Sequence, residues 1–158
     1  MKKINMVDLN GQYRKIRWQV NREMKKVINS SSFINGPVVK EFQNNLQQYL
    51  DVKHVIPCAN GTDALQIALM ALDLKRGDEV ITTNFSFAST IEVILLLGLK
   101  PVVVDIDSRT FNINPSLIQD KITDRTRAII PVHLFGQSCR MEEILEIANK
   151  NNLQVIED

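Results

Sequence analysis

The chain has 158 residues, 44% of them hydrophobic, and a formal net charge of +1 at pH 7. These values fit a soluble globular fold with a sizeable core, and they give no electrostatic reason to expect nucleic acid or an anionic membrane as a partner. The longest apolar run, residues 93–97, is too short to cross a bilayer. The start Met1-Lys2-Lys3 leads to Asn5 and Asp8 rather than to an apolar signal-peptide core. The sequence therefore predicts a cytoplasmic protein.

The cysteines and histidines show no spacing typical of a metal site. Cys58 and Cys139 lie far apart, and His54 and His133 form no ligand motif. We expect two free thiols rather than a disulfide, and no bound metal.

Two amphipathic helices are predicted before any strand. Residues 11–30 carry apolar side chains at helical spacing, and the serines at 30–32 end the pattern. Residues 35–37, Asn-Gly-Pro, form a turn that places Pro at the first position of a second helix. We interpret both apolar stripes as core packing. Residues 1–52 are assigned to an N-terminal helical segment, and 53–158 to the first part of a larger domain.

From Val55 onward, apolar strands and helices alternate. Strands are predicted at 79–83, 101–106, 128–132 and 153–157, with a short strand or an extended lead-in at 55–58. Helices are predicted at 63–73, 86–97, 114–122 and 141–150. This alternation indicates an α/β fold in which helices cover both faces of a mainly parallel sheet, giving three layers.

The start of the 63–73 helix is a candidate phosphate site. Asn60-Gly61 is a turn signal, Thr62 can cap the helix, and Asp63 suits the first turn. The residues that follow are almost wholly apolar, which predicts a buried helix. Free N–H groups and the positive dipole end at a helix N-terminus favour an anion. The alternative is a capped core helix without a ligand.

Familiar nucleotide and nucleophile motifs are missing from the sequence. The six glycines form neither GxGxxG nor GxxxxGK[ST], and there is no serine nucleophile elbow. Two further residues could contact the same ligand whose phosphate lies at Thr62. Phe87 follows the strand at 79–83 and could stack on a flat ring, and Asp158 ends another strand. A carboxylate beside a ring nitrogen keeps that nitrogen protonated, as the electron sink of pyridoxal phosphate requires.

Each of these residues also has a plain structural interpretation. Thr62 could serve only as a helix cap, Phe87 could be a core residue, and Asp158 could cap a following helix. Taken singly, these residues leave the alternatives open.

The run from Asn60 to Leu65 resembles the phosphate-binding turn of DegT/DnrJ-type nucleotide-sugar aminotransferases, which are fold type I pyridoxal phosphate enzymes. Other segments match this family in order along the chain, so the resemblance covers essentially all of it. They lie at 36–37, 77–81, 84–90, 101–107, 128–133, 136 and 155–158.

The resemblance implies roles for matching residues. The backbone of Gly61, Thr62 and Asp63, with the Thr62 hydroxyl, would hold the cofactor phosphate. Phe87 would stack on the cofactor ring, and Asp158 would pair with the pyridinium nitrogen. The family's second phosphate-binding serine and its Schiff-base lysine match no position in this sequence. We therefore expect about half of a cofactor cradle, no catalytic residue, and a chain that is the inactive N-terminal portion of an enzyme.

The implied reaction moves an amino group, typically from glutamate, to a nucleotide-linked keto-sugar, in a homodimer that serves surface polysaccharide or amino-sugar synthesis. UDP-linked 3-keto sugars are the expected substrates. One alternative is a non-catalytic or truncated relative with a binding or regulatory role. A second is another fold type I enzyme such as a cysteine desulfurase, although those usually stack a histidine where this chain has Phe87. A third is a doubly wound domain without a cofactor.

Overall fold

The structure is a computed structural model that describes residues 7–158. The chain divides into two compact units, one ending at Pro57 and the other running from Cys58 to Asp158. Within the described range, none of the helices combines the length and the apolar character that a bilayer crossing demands.

The first unit contains two helices, α1 (Leu9–Ser30) and α2 (Pro37–Leu50). Both were predicted. Helix α1 begins earlier than expected because the Asp8 side chain accepts a hydrogen bond from the Gly11 N–H at 2.8 Å, which caps the first turn. Ser31 ends α1 in the left-handed conformation, with a φ of 51°.

The second unit is built on one parallel sheet. Its four strands lie in the order β2-β1-β3-β4, and every neighbouring pair is parallel. The elements in chain order are α3 (Gly61–Ala71), β1 (Glu79–Thr83), α4 (Ser89–Leu96), β2 (Lys100–Val104), β3 (Thr126–Ile129), α5 (Met141–Lys150) and β4 (Gln154–Val155). The predicted α/β class and parallel sheet are confirmed.

Successive residues of the strands point to opposite faces of the sheet. Val80 of β1 packs in a cluster with Leu65 of α3 and Val93 of α4. Its neighbour Ile81 packs in a second cluster with Ile144 of α5. Helices therefore cover both faces, as predicted, because a strand that alternates between two apolar faces needs a layer on each side.

Helix α3 is not the wholly buried helix that its composition predicts. Leu65 and Leu69 are buried, but Ile67 is 44% exposed and Met70 is 59% exposed. One stripe of side chains is enough to cover the sheet, so the opposite face of α3 meets no other layer within this unit. The helix also begins at Gly61 rather than at 63.

Several predicted boundaries are wrong in detail. Residues 55–58 form no strand, and α4 begins at Ser89, three residues later than expected. The predicted helix at 114–122 is instead two short 3-10 helices, Pro115–Leu117 and Gln119–Lys121. A side-chain turn at Asn114 starts the tighter coil, and Ile122 returns to extended backbone, which ends it.

Glu79 lies at the amino end of β1, and only 2% of its side chain is exposed. Its Oε2 accepts a hydrogen bond from the Thr123 hydroxyl at 2.5 Å. Its Oε1 accepts from Lys100 Nζ at 3.0 Å and from Arg125 Nη2 at 3.3 Å. The Thr123 hydrogen bond, followed by the bond from Lys100, holds the pKa of Glu79 below its ordinary value. This cluster joins three segments at the amino end of the sheet.

Candidate functional site

The strand order changes direction at β1, which marks the carboxyl edge of the sheet as the place to expect a ligand. From β1 the chain passes through α4 to β2 on one side, whereas β3 pairs with β1 on the other side. Ligands of open parallel sheets bind outside the carboxyl ends of the strands, at such a switch in direction. Phe87 follows the carboxyl end of β1, and Asp158 follows that of β4.

The N-terminus of α3 faces the same edge. Leu65 and Leu69 of α3 pack in one cluster with Val80 of β1, and only residues 72–78 connect the two elements. A helix that packs on a strand through so short a connection runs antiparallel to that strand. The end at Gly61 therefore lies toward the carboxyl end of β1.

Asn60 caps α3. Its Oδ1 accepts a hydrogen bond from the Asp63 N–H at 2.9 Å, and its Nδ2 donates to Asp63 Oδ2 at 3.1 Å. The expectation that Thr62 serves as the cap is therefore wrong, and asparagine is also the stronger N-cap residue. The sequence signal was present in the Asn-Gly pair, where we assigned Asn60 only to a turn.

The cap determines which backbone donors remain for a ligand. The Asp63 N–H is occupied by Asn60, but within residues 7–158 the N–H groups of Gly61 and Thr62 have no hydrogen-bond acceptor. A Cβ built at Gly61 would meet no atom within 4 Å, so the space beside these donors is open. An anion can approach Gly61 and Thr62 without displacing a protein group.

Asp158 is fixed through both its backbone and its side chain. Its N–H donates to the Pro131 carbonyl at 3.0 Å, and its carbonyl accepts from the His133 N–H at 2.9 Å. Its Oδ2 accepts a hydrogen bond from Thr90 Oγ1 at 2.6 Å. The carboxylate is thereby held against the first turn of α4, where the helix dipole favours negative charge.

Sequence reasoning missed Thr90 and its neighbour Ser86. Thr90 is fully buried, and its hydroxyl oxygen lies 3.2 Å from the Ser86 hydroxyl oxygen. The available signal was two hydroxyl side chains four residues apart next to a mainly apolar helix. That spacing alone does not reveal a partner 68 residues away in the chain.

Phe87 is 77% exposed and lies in the connection between β1 and α4. The alternative interpretation of Phe87 as a core residue is therefore wrong. Its neighbour Phe85 contacts Phe111 instead, with ring centroids 5.7 Å apart. The exposed ring leaves Phe87 free to stack on a planar ligand.

His133 and Cys139 stabilise the loop after β3. His133 Nδ1 accepts a hydrogen bond from the Cys139 N–H at 3.0 Å, so a neutral ring carries its proton on Nε2, which lies 2.8 Å from Glu157 Oε2. The Cys139 thiol donates to the Val132 carbonyl at 3.1 Å, and burial raises its pKa. The Cys139 thiol contacts a carbonyl rather than the His133 imidazole. The two side chains therefore do not form a nucleophile–base pair.

Three separate features therefore lie along one edge of the sheet. Free N–H groups at Gly61 and Thr62 suit a phosphate, the Phe87 ring suits an aromatic plane, and the Asp158 carboxylate suits a protonated nitrogen. The hydrogen bond to Thr90 occupies only one oxygen of Asp158, and no described residue hydrogen-bonds the other. A phosphorylated pyridine derivative presents these three groups, so the residues fit such a cofactor.

Residues 14–158 match the model of the DegT/DnrJ/EryC1/StrS aminotransferase family. The chain belongs to this family. The expected family is confirmed. NtdA of Bacillus subtilis, solved with bound cofactor PMP, superposes with a TM-score of 0.90 at 37% identity over 99% of this chain and 37% of NtdA.

Two curated relatives are equally similar to the chain. The UDP-2-acetamido-2-deoxy-3-oxo-D-glucuronate aminotransferase of Pseudomonas aeruginosa is 46% identical over 98% of this chain and 43% of its own length. A pleiotropic regulatory protein of Geobacillus stearothermophilus is also 46% identical, over 98% of this chain and 42% of its own length. The chain thus spans less than half the length of these relatives.

Proposed function

We propose that this chain supplies the first part of the cofactor cradle of a cytoplasmic, pyridoxal phosphate-dependent aminotransferase. The complete enzyme transfers an amino group from glutamate to a nucleotide-linked keto-sugar, for surface polysaccharide or amino-sugar synthesis. The observation that carries the proposal is the placement of the Asp158 carboxylate, which Thr90 holds at 2.6 Å at the carboxyl edge of the sheet. Among the ligands that fit this edge, membership of an aminotransferase family favours pyridoxal phosphate.

In this proposal the chain binds and orients the cofactor. Gly61 and Thr62 donate backbone hydrogen bonds to the phosphate, Asp63 completes the turn through its bond to Asn60, and the Thr62 hydroxyl adds a further donor. Phe87 stacks on the ring. When bound, pyridoxal phosphate supplies an electron sink for a negative charge that develops at the substrate carbon.

Asp158 has the central electrostatic role. A carboxylate next to the ring nitrogen favours the protonated form of that nitrogen, because opposite charges stabilise each other. Asp158 thereby keeps a proton on the ring nitrogen during the reaction. No lysine in the sequence matches the family's Schiff-base position, so we assign binding and electrostatic roles to this chain and no nucleophile.

The substrate class is inferred from relatives. The name of the Pseudomonas aeruginosa relative describes a UDP-linked 3-oxo sugar as its substrate. This supports UDP-linked 3-keto sugars as the first substrates to assay.

We also infer that the complete enzyme is a homodimer. The first unit carries an apolar groove between α1 and the start of α2, in which Met24 is 56% exposed and Phe33 is 65% exposed. A second copy of the chain would bury such side chains, and a Met24→Glu variant should then raise the dimer dissociation constant measured by light scattering.

The function is tested with the product of the complete gene. We expect saturable binding of pyridoxamine phosphate by calorimetry, and an aminated UDP-sugar carrying 15N when the 3-keto sugar and 15N-glutamate are supplied. Absence of pyridoxamine phosphate binding at millimolar concentration would reject the proposal.

A second candidate is a regulatory protein, which the similarity to the Geobacillus stearothermophilus relative favours. A protein that binds pyridoxamine phosphate but aminates none of the UDP-linked 3-keto sugars would support this candidate. Formation of a 15N-labelled product would reject it.

A further inference from the structure

We propose that Thr90 is a positioning residue for Asp158, and that Ser86 supports it through a chain of hydroxyl hydrogen bonds. This inference rests on the proposed function, because it assigns the carboxylate of Asp158 to a cofactor nitrogen. Thr90 itself need not contact the cofactor. It acts by setting the orientation of the carboxylate that does.

Counting protons fixes the direction of these hydrogen bonds. A hydroxyl has one proton, and an ionised carboxylate only accepts. Thr90 therefore donates its proton to Asp158 Oδ2 across 2.6 Å. Its oxygen remains available to accept from Ser86 across 3.2 Å, so Ser86 is the donor of that pair. The chain runs from Ser86 to Thr90 to Asp158, and each bond polarises the next.

Burial of Thr90 makes the arrangement stable. The residue has 0% of its surface exposed, so water cannot replace Asp158 as the acceptor of its proton. A buried hydroxyl that loses its partner carries the full cost of desolvation. The buried Thr90 hydroxyl therefore determines the orientation of the exposed Asp158 carboxylate.

An aspartate carboxyl group needs such support to have one orientation. Rotation about its terminal bond has a broad energy profile, so packing alone fixes the carboxyl plane poorly. The Thr90 bond fixes Oδ2, and the backbone bonds of Asp158 to Pro131 and His133 fix the Cα position. The second oxygen, Oδ1, is then presented in one direction, which is what an ion pair with a ring nitrogen requires.

The test compares two ligands in the full-length protein. The first is pyridoxamine phosphate, and the second is its analogue with carbon in place of the ring nitrogen. The ratio of their dissociation constants isolates the contact between Asp158 and the nitrogen, because every other contact is shared. A general structural defect would weaken both ligands equally and leave the ratio unchanged.

Four variants are measured with both ligands. Thr90→Val removes the hydroxyl and keeps the shape, and Thr90→Ser keeps the hydroxyl. Ser86→Ala removes the preceding donor. Thr82→Val is the matched control, since Thr82 is also fully buried and its hydroxyl donates to the Ile130 carbonyl at 2.9 Å rather than to Asp158.

We expect Thr90→Val to reduce the preference for the ring nitrogen by about tenfold, the scale of one hydrogen bond to a charged group. Thr90→Ser and Thr82→Val should keep the parent preference, and Ser86→Ala should show a smaller loss. If Thr90→Val does not fold, the Ser86→Ala and Thr90→Ser results decide. A parent-like ratio in Thr90→Val, or in Ser86→Ala where only that variant folds, would overturn the positioning role.

If the proposed function itself is wrong, the binding results differ from those expected when only the role of Thr90 is wrong. In that case the parent protein itself would bind neither ligand, or would bind both with equal affinity. A parent protein that prefers the ring nitrogen, together with variants that prefer it equally, would reject only the role of Thr90.

Discussion

The side-chain oxygen of Asn60 lies 2.9 Å from the backbone nitrogen of Asp63, so the cap of α3 stands immediately beside the donors assigned to the phosphate. In the proposed site, helix capping and phosphate binding are therefore separate tasks of adjacent residues. Asn60→Ala should lower the free energy of unfolding by about 1 kcal/mol in urea titrations, because it removes an N-cap. Asn60→Asp retains an acceptor and should keep the parent stability. Equal stability of the Ala and Asp variants would contradict the assigned cap.

Thr62→Ala should weaken pyridoxamine phosphate binding without lowering the melting temperature. The hydroxyl of Thr62 takes no part in the cap, whereas in the proposed site it donates to a phosphate. A hydrogen bond to a charged group corresponds to about a ten- to hundredfold change in the dissociation constant. Calorimetric titration measures the affinity, and Thr62→Ser is the control expected to bind as the parent does. A lower melting temperature with unchanged affinity for pyridoxamine phosphate would show that Thr62 has only a structural role.

Asp158→Asn should keep the fold and still bind the cofactor but lose transamination. An amide cannot supply the negative charge that keeps the ring nitrogen protonated. We expect the rate of the glutamate half-reaction, followed by stopped-flow absorbance, to fall by on the order of a hundredfold or more. Keto-sugar affinity should change little. Glu157→Gln is the neighbouring control, and a parent-like rate in Asp158→Asn would show that the cofactor lies elsewhere.

The lowered pKa of Glu79 predicts that the stability of the fold depends on pH. Its pKa in the folded state is lowered, so its contribution is fully present above the unfolded pKa, near 4.3, and is lost as the pH falls through the lower folded pKa. Urea titrations from pH 7 down to pH 3 should show this loss in the parent protein. Glu79→Gln should be less stable by about 1–3 kcal/mol at pH 7, with a shallower decline below pH 5. Parallel curves for the variant and the parent would contradict the assignment.

The two thiols should differ in reactivity. Cys58 is exposed, whereas Cys139 is buried, donates to the Val132 carbonyl and has a raised pKa. Because only the thiolate reacts, iodoacetamide should modify Cys58 at least about tenfold faster than Cys139 at pH 8. Peptide mass spectrometry over time measures both rates, and denaturation in urea should abolish the difference. Equal rates in the folded protein would show that the loop after β3 opens readily.

The sequence predicted the parts of the fold that depend on local patterns. The apolar strand at 79–83, the α5 helix and the glycine stop at Gly98 all follow from periodicity and turn chemistry, and all are present. The segment at 114–122 was predicted wrongly because a capping signal such as Asn114 starts a 3-10 turn as readily as an α-helix. Exposure of α3 also escaped prediction, since composition does not reveal how many layers surround a helix.

Some residues of the candidate site could likewise be predicted from the sequence, and others could not. Asp158 and Phe87 could be proposed from the sequence because each follows a predicted strand, and the turn at Gly61 because it precedes a predicted helix. Thr90 could not, because its partner is distant in sequence and the two meet only when β3 pairs with both β1 and β4. Residues that act through other residues leave no periodic signal.

From the Thr90–Asp158 hydrogen bond we also expect an order of events in folding. Its two ends are separated by 68 positions, and Asp158 reaches the first turn of α4 only after β4 has docked on the edge of the sheet. Long-range closures of this kind form late, because their loop entropy is recovered only when the intervening elements are in place. During synthesis, α3 and the N–H groups of Gly61 and Thr62 can therefore be in place while Asp158 is still in the ribosomal tunnel or in an undocked segment. If the N–H groups of Gly61 and Thr62 bind phosphate as proposed, a nascent chain at that stage offers them without the Asp158 carboxylate, so we expect vitamin B6 phosphates to gain affinity as β4 docks.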